Sequence, residues 1–331
     1  MKTRRFEFLL EAAQPIAHHE GTIGNHAIVM RRKVRQPDGT FAHVPIITGD
    51  TMRHGLREAS AWALLDAAGM LPNGQGGQLS RSALRLLFNG GMVSGRGDAG
   101  AINLDQYRQM VELVPSLALF GGCASNRVVP GRLFVEDATL VCAETRAWLP
   151  AWASDAMGQQ ELAGQRAHVE EVQRVRMDPL LDPSKCKVLS DGEQIAQNKQ
   201  LASSEAAHGA DDAIERDASK SSMMPRTFER VVQGSLFTWG IQATTFTDLD
   251  DDTLMTALGV FLTRPIIGGK RGTGHGELRV VSARDIAVRR PSERADVVDM
   301  TALGGRVGDL FRAHVSERRD RIAEFLAAVD A

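Results

Sequence analysis

Two hydrophobic periods alternate along the chain. Residues 4–12 place Phe6, Phe8, Leu10 and Ala12 on one side and Arg5, Glu7 and Glu11 on the other, the pattern of a half-buried strand. Residues 27–35 and 41–47 flank the Pro-Asp-Gly turn signal of residues 36–39, which predicts a hairpin. A helix follows from Thr48–Asp50, with Asp50 or Thr51 as its cap. Its stripe is Met52, Leu56, Ala59, Ala63 and Leu64, and it ends near Gly69. Helices are also predicted over 80–88 and 104–114, and a strand over 131–141. Phe237, Trp239, Ile241 and Ala243 mark a strand over 236–246. Leu254, Leu258, Phe261 and Leu262 mark a helix behind the acidic start at 248–252. A strand over 277–281 and a last helix over about 303–329 close the chain. That helix carries Val307, Phe311, Val315, Ile322 and Leu326, and packs on its own domain or on a neighbour.

Without its insertions this order is strand, helix, strand, strand, helix, strand. It predicts an α+β, ferredoxin-like (RRM-like) βαββαβ core with large insertions. The domain reading is a core of residues 1–149 and 234–331, with a helical insertion at about 70–118, and an inserted region at 150–233. The stretch between Ser190 and Ser222 has few large apolar residues and cannot build a core of its own.

Composition refines this picture. At 331 residues and 43% hydrophobic the chain can bury a full core. Its three cysteines form no CxxC pair, so neither a zinc site nor a disulfide framework is indicated, and reduced cytoplasmic thiols are expected. No signal peptide and no membrane span are expected. Net charge is only −2, but it is sorted by segment. Residues 26–57 are net +4 and residues 264–279 net +3, whereas residues 154–220 hold thirteen acids against eight bases, net −5. With 5% aromatic residues and one Tyr, phosphate contact is a better basis for nucleic-acid affinity than base stacking.

Chemistry concentrates in residues 266–278, IIGGKRGTGHGEL. Gly269, Gly272 and Gly274 allow close backbone approach, and Lys270 and Arg271 set two cations at the tip, beside His275. A tight turn before a strand is the plain alternative. A Walker loop fits poorly, because Lys270 is followed by Arg271. Arg53 and Arg57 share one face near a helix N-terminus, where cations oppose the helix dipole at a small cost that a nearby anion would account for; solvated charge is the plain alternative.

These stretches resemble one family. Residues 47–57, ITGDTMRHGLR, resemble the hydrophobic-Pro-Gly-Ser-Ser-hydrophobic-Lys-Gly-x-hydrophobic-Arg motif of the RAMP superfamily, with Thr48 in place of the Pro and His54 in place of the Gly. Residues 119–138 resemble its Phe-Gly followed by a Gly-Arg-Leu-x-Val-x-Asp-Ala strand, and residues 268–278 its C-terminal glycine-rich loop. Within the superfamily the chain looks like the backbone subunit (the Cas-seven family) of class 1 CRISPR effector complexes, most like type IV. The resemblance implies a subunit that oligomerises along guide RNA (crRNA). It implies as partners complementary target nucleic acid, copies of itself, and the large, guide-end-capping and guide-processing subunits, with no cofactor. It implies a thumb-like hairpin at residues 166–230. Candidate RNA-binding residues are Thr51, Arg53, Arg57, Arg96, Arg127, Gly269, Lys270, Arg271, Gly272, Gly274 and His275, with Arg174, Arg176, Met223 and Met224 on the thumb.

Type III relatives carry a catalytic Asp after the first strand. Residues 18–26 here contain Asn25 but no Asp, so no catalysis is expected. The alternatives are a metal-dependent or acid–base ribonuclease acting on guide or target through His18, His19, Glu20 and His26, a guide-processing endonuclease with His18 as general base, and a structural oligomer without RNA.

Overall fold

A computed structural model describes residues 1–71, 79–91, 104–124, 127–158, 161–177, 187–188, 190–194, 223–288, 296–299 and 307–328. The chain divides into two units. Unit 1 holds residues 1–20, 29–170 and 230–331; unit 2 holds residues 21–28 and 171–229. The inserted unit is therefore shorter than the expected 150–233 and recruits the segment at 21–28.

Unit 1 is built on β1 (Lys2–Ala12). The strands β2 (His19–Ile23) and β3 (His26–Val29) follow, then β4 (Arg31–Arg35), β5 (Phe41–Ile47) and helix α1 (Gly49–Ala67). Helices α2 (Arg81–Asn89), α3 (Leu104–Leu113) and α4 (Ser116–Phe120) come next. They are followed by the short strands β6 (Gly122–Ala124), β7 (Arg127–Val129), β8 (Leu133–Val135) and β9 (Ala138–Leu140), and by α5 (Ala151–Met157). The long arms β10 (Val169–Met177) and β11 (Met223–Val231) bracket the insertion. After them come β12 (Leu236–Thr245), α6 (Asp248–Thr263), β13 (Leu278–Val288), β14 (Asp296–Asp299), α7 (Asp309–Glu317) and α8 (Arg319–Ala328).

Eight strands form the sheet of unit 1, in the order β14-β13-β1-β12-β9-β5-β4, with β8 also on β12. Its centre reads β13-β1-β12-β8/β9, every neighbour antiparallel. The first predicted strand thus lies between the fourth and the third, with the second outside, as a split β-α-β unit requires. Phe6, Phe8 and Leu10 of β1 and Phe237, Trp239, Ile241 and Ala243 of β12 are buried in one cluster with Met52 and Leu56 of α1 and Leu254, Leu258 and Phe261 of α6. The register sets Phe8 opposite Trp239, and their rings stack at 4.8 Å. The other side of α1, Ala61, Leu64, Leu65 and Ala68, packs into a second cluster with α2 and with Phe311, Val315, Ile322 and Leu326 of α7 and α8. The C-terminal helices therefore pack on their own domain. Asp252 of α6 fixes them by accepting from Phe311 N at 2.7 Å, while Thr256 Oγ1 accepts from Gly308 N at 2.9 Å.

Several expected elements are interrupted. The strand over 131–141 splits at Glu136 and Asp137, because Asp137 turns aside to accept from Gly49 N at 2.7 Å and to pair with Arg32. The arm over 27–35 splits at Met30, with β3 joining the sheet of unit 2 and β4 that of unit 1. The last helix breaks at Arg318. The cap of α1 is Thr48, whose Oγ1 accepts from Thr51 N; Asp50 lies within the first turn.

Unit 2 contains most of a four-stranded sheet, β10-β11-β3-β2, in which β11 runs parallel to β3 with Thr227 opposite His26. Phe228 is buried there, with the Arg174 guanidinium 5.7 Å from its ring centroid. The two arms expected at 166–177 and 223–233 are strands that pair with each other. Among the described residues, no helix is long and apolar enough to cross a membrane.

Gly55 of α1 allows close contact between the two core helices: a Cβ there would lie 2.7 Å from the Phe261 ring. Gly55→Leu is expected to destabilise the protein by about 1–3 kcal/mol through overpacking, despite its better helix propensity. Chemical denaturation against wild type, with an unchanged slope, measures this.

Candidate nucleic-acid interface

The glycine-rich loop is held at its base and open at its tip. Ile267 N donates to Gly276 O at 2.9 Å, Gly269 N to Ala17 O at 2.8 Å, and Gly276 N to Pro15 O at 2.9 Å. Two glycines are required by this clamp. Gly268 (φ 73°) would place a Cβ 2.9 Å from Ala17 O, and Gly276 (φ 91°) would place one 1.9 Å from Ile267 O. Gly272 and Gly274 have open space around them. Lys270 has φ 59°, the one positive value among described non-glycine residues. It starts a single 3-10 turn, Arg271–Thr273, which Gly274 ends at φ 76°. The tip thus carries Lys270 and Arg271 outward on an exposed backbone.

Facing this loop is the N-terminus of α1. Gly49 is required there, since a Cβ would lie 2.4 Å from Val135 O. His18 Nε2 lies 3.3 Å from both Thr48 N and Thr48 Oγ1. An N–H can only donate, so Nε2 is the acceptor and the proton sits on Nδ1. Burial first, and nearby His19 second, lower the His18 pKa from its ordinary value, against an opposing pull from Asp137.

Between the two elements lies an open cleft of about 520 Å³, lined by Ala17, His18, His19, Asp50, Thr51, His54, Gly268, Gly269 and Arg271, all in unit 1. Arg271 is positioned by Gly268 O at 3.2 Å and by Glu58 at 3.4 Å. The positive end of the α1 dipole and the Arg271 guanidinium both favour an anion, and the Asp50 carboxylate opposes one at the rim. Such a cleft can hold a phosphate by one side-chain fork and nearby backbone amides.

Of the residues expected from sequence, Thr51, Gly269 and Arg271 meet in this cleft, while Lys270, Gly272 and Gly274 stand on the tip beside it. Arg53 and Arg57 do something else. Arg53 donates to Leu133 O at 2.6 Å and Phe120 O at 2.7 Å; Arg57 donates to Gly121 O at 3.0 Å and Phe120 O at 2.9 Å. Both guanidiniums also lie against the Phe120 ring. Burial pushes the Arg57 pKa down to about 10, and neighbouring Arg53 adds to the shift. Where phosphate contact was expected of these two, the structure shows each guanidinium directing two bonds to the carbonyls of residues 120–133, and neither lines the cleft. His275 is likewise corrected. It is 3% exposed, folded inward, with Nδ1 3.0 Å from Thr273 O and Nε2 3.2 Å from Arg230 Nη1.

Arg174 is exposed in unit 2. Arg96 lies outside the described residues, and so do the side chains of Arg127, Arg176, Met223 and Met224, although their backbones lie in β7, β10 and β11. His54 and Glu58 escaped the sequence reading as functional residues. The signal was their spacing, four apart on the α1 face that begins at Asp50. Among the described residues, no three His, Cys, Asp or Glu are grouped to hold a metal ion.

No protein-family model matches the chain, and no curated protein matches it. Among solved structures, a chain of one described as a "Type IV-B CRISPR Complex" has a similar fold. The TM-score is 0.50 at 17% sequence identity, over 91% of this chain and 93% of that one.

Two predictions follow from the site. Arg57→Met should cost about 2–3 kcal/mol, because it leaves the Phe120 and Gly121 carbonyls short of charged donors, and Arg57→Lys should recover only part, lacking the fork. Denaturation midpoints of the three proteins measure it. His18, with its folded pKa below the unfolded value of 6.5, takes up its proton more readily in the unfolded chain. Its contribution is therefore full above pH 6.5 and is lost as pH falls from there toward the folded pKa. Wild-type stability should drop between pH 7.5 and 5.5 more than that of His18→Gln, as read from paired denaturation curves.

Proposed function

We propose that this chain is a guide-RNA-binding backbone subunit of a CRISPR ribonucleoprotein effector complex, oligomerising along the RNA without catalysis of its own. The observation that carries the reading is the cleft itself. An exposed glycine-rich tip with Lys270 and Arg271 faces a helix N-terminus across an open channel, in a fold shared with a chain of a type IV-B CRISPR complex. Phosphate would be held by Arg271, Lys270, Thr51 and the amides around Gly269–Gly274, without reading base identity. Target nucleic acid would join through pairing with the guide, and the paired arms β10 and β11 would serve as the thumb over the RNA, contacting the next copy or another subunit.

The non-catalytic part of the reading is supported by two features. Residues 18–26 offer no Asp, and His18 Nε2, the lone pair a general base needs, already accepts from Thr48 N.

Purified protein should carry RNA, seen as a raised 260/280 nm absorbance ratio. Stripped protein should bind oligouridylate with an affinity that falls steeply with salt. Lys270→Ala with Arg271→Ala should weaken binding and flatten the log–log salt slope by about 1.4, two single-strand phosphate contacts at about 0.7 each. An RNA-free protein, or an unchanged slope in the double variant, sinks this assignment.

A further inference from the structure

The basic strand β4 is not used by the cleft. Arg31, Arg32, Lys33 and Arg35 put four cations into five residues, on the outer strand of the eight-stranded sheet. Met30 N donates to His18 O at 2.8 Å and Met30 O accepts from Ile46 N at 3.0 Å, so β4 starts beside the cleft-lining strand. The register sets Arg31 opposite Pro45, Lys33 opposite His43 and Arg35 opposite Phe41. Side chains alternate, so Arg31, Lys33 and Arg35 share a face with His43 and Phe41, the cations spaced about 6.8 Å apart. Arg32 is on the other face, paired with Asp137.

Two aromatic rings accompany this row. Lys33 Nζ lies 4.2 Å from the Phe41 ring centroid, and Phe41 is 57% exposed. Trp148 is 62% exposed, and its indole N–H donates to Arg35 O at 3.2 Å. Edge strands carry charge to resist pairing with other chains, but that purpose does not call for large rings held in place with their surfaces in water. Cations in a row with fixed, exposed aromatics are what an extended polyanion with flat bases requires.

We propose that the β4 face, from Arg31 to Phe41 and Trp148, is a second binding site for single-stranded nucleic acid. Lys33 and Arg35 take phosphates, and Phe41 and Trp148 take bases. The site rests on the cleft reading only in that both would serve one nucleoprotein. An acidic peptide added as a further strand fits less well. Inward bonds at Met30 and at Gln36 leave the groups of residues 31, 33 and 35 to face outward, yet the Arg35 carbonyl that such a strand would need is already given to Trp148.

The test is fluorescence anisotropy of labelled oligouridylate with the stripped full-length chain, across a salt series, with far-UV spectra to confirm folding. Lys33→Ser with Arg35→Ser should flatten the salt slope by about 1.4. Phe41→Ala should weaken binding about tenfold. Oligouridylate should quench indole emission, and Trp148→Phe, which keeps a ring at the site, should remove part of that quenching while nearly preserving affinity. If the edge variants bind like wild type and Lys270→Ala with Arg271→Ala does not, the second site is overturned and the cleft reading stands. The reverse pattern keeps the second site and removes the cleft. A chain that binds no oligouridylate overturns both. Polyglutamate abolishing the Trp148 signal as effectively as oligouridylate overturns the nucleic-acid assignment in favour of an acidic peptide.

Discussion

Helix α1 must satisfy two surfaces at once, and its half-buried guanidiniums make this possible. Sheet residues cover one side and helices α2, α7 and α8 the other, so the chain leaving α4 and entering β8 has to pass against α1. There the carbonyls of Phe120, Gly121 and Leu133 call for donors, since a buried carbonyl without one costs about 1–3 kcal/mol. Arg53 and Arg57 supply four donors to these three acceptors. Gly131 completes the approach, since a Cβ there would lie 2.6 Å from Leu119 O. The same lock holds β8 against the start of α1, where Gly49 lies under Val135 O. The N-terminus of α1, one wall of the cleft, is thereby fixed from below.

The other wall depends on a different element. The base of the glycine-rich loop is bonded to Pro15 and Ala17, which follow β1, and His18, the next residue, reaches Thr48. A segment of four residues therefore connects loop and helix. The cations of the tip keep their exposure because the loop's hydrogen bonding is completed at its base, leaving the turn at residues 271–273 to its own internal bonds and Thr273 Oγ1 to Lys270 O at 3.0 Å. His275 contributes to this closure from within, and through Arg230 it meets the Glu170–Arg230 ion pair. The root of the β10 and β11 arms in unit 1 and the loop are thus parts of one hydrogen-bonded chain.

Much of the fold was legible because its strands are half-buried and its core helices amphipathic. The periods of β1, β12, α1 and α6 stand in the sequence, and the strand–helix order implies the sheet order once crossovers are counted. What periodicity could not show was where a strand changes partner. Met30 and Glu136–Asp137 interrupt runs that look continuous, for reasons that lie elsewhere in the chain: His18 O takes the amide of Met30, and Gly49 N and Arg32 take the carboxylate of Asp137. The recruitment of residues 21–28 into unit 2 was hidden for the same reason, because β3 pairs with a strand about two hundred residues later.

The site was legible in its glycines and less so in its cations. An arginine near a helix N-terminus reads the same in sequence whether it meets a phosphate or a main-chain carbonyl, since both are oxygen acceptors suited to a planar fork. Surroundings decide between them, and the partial burial of Arg53 and Arg57 follows from the path of residues 120–133, which no local pattern reveals. Lys270 and Arg271 are exposed, as a tip flanked by glycines suggests, because their setting is local. The difference bears on how the cleft works. Among the described lining residues its fixed positive charge comes from Arg271 and the α1 dipole, while the half-buried Arg53 and Arg57 hold one of its walls. On the proposed reading, affinity and shape would be carried by separate residues: removing a tip cation would leave the cleft in place, whereas a change at Arg57 would loosen one of its walls.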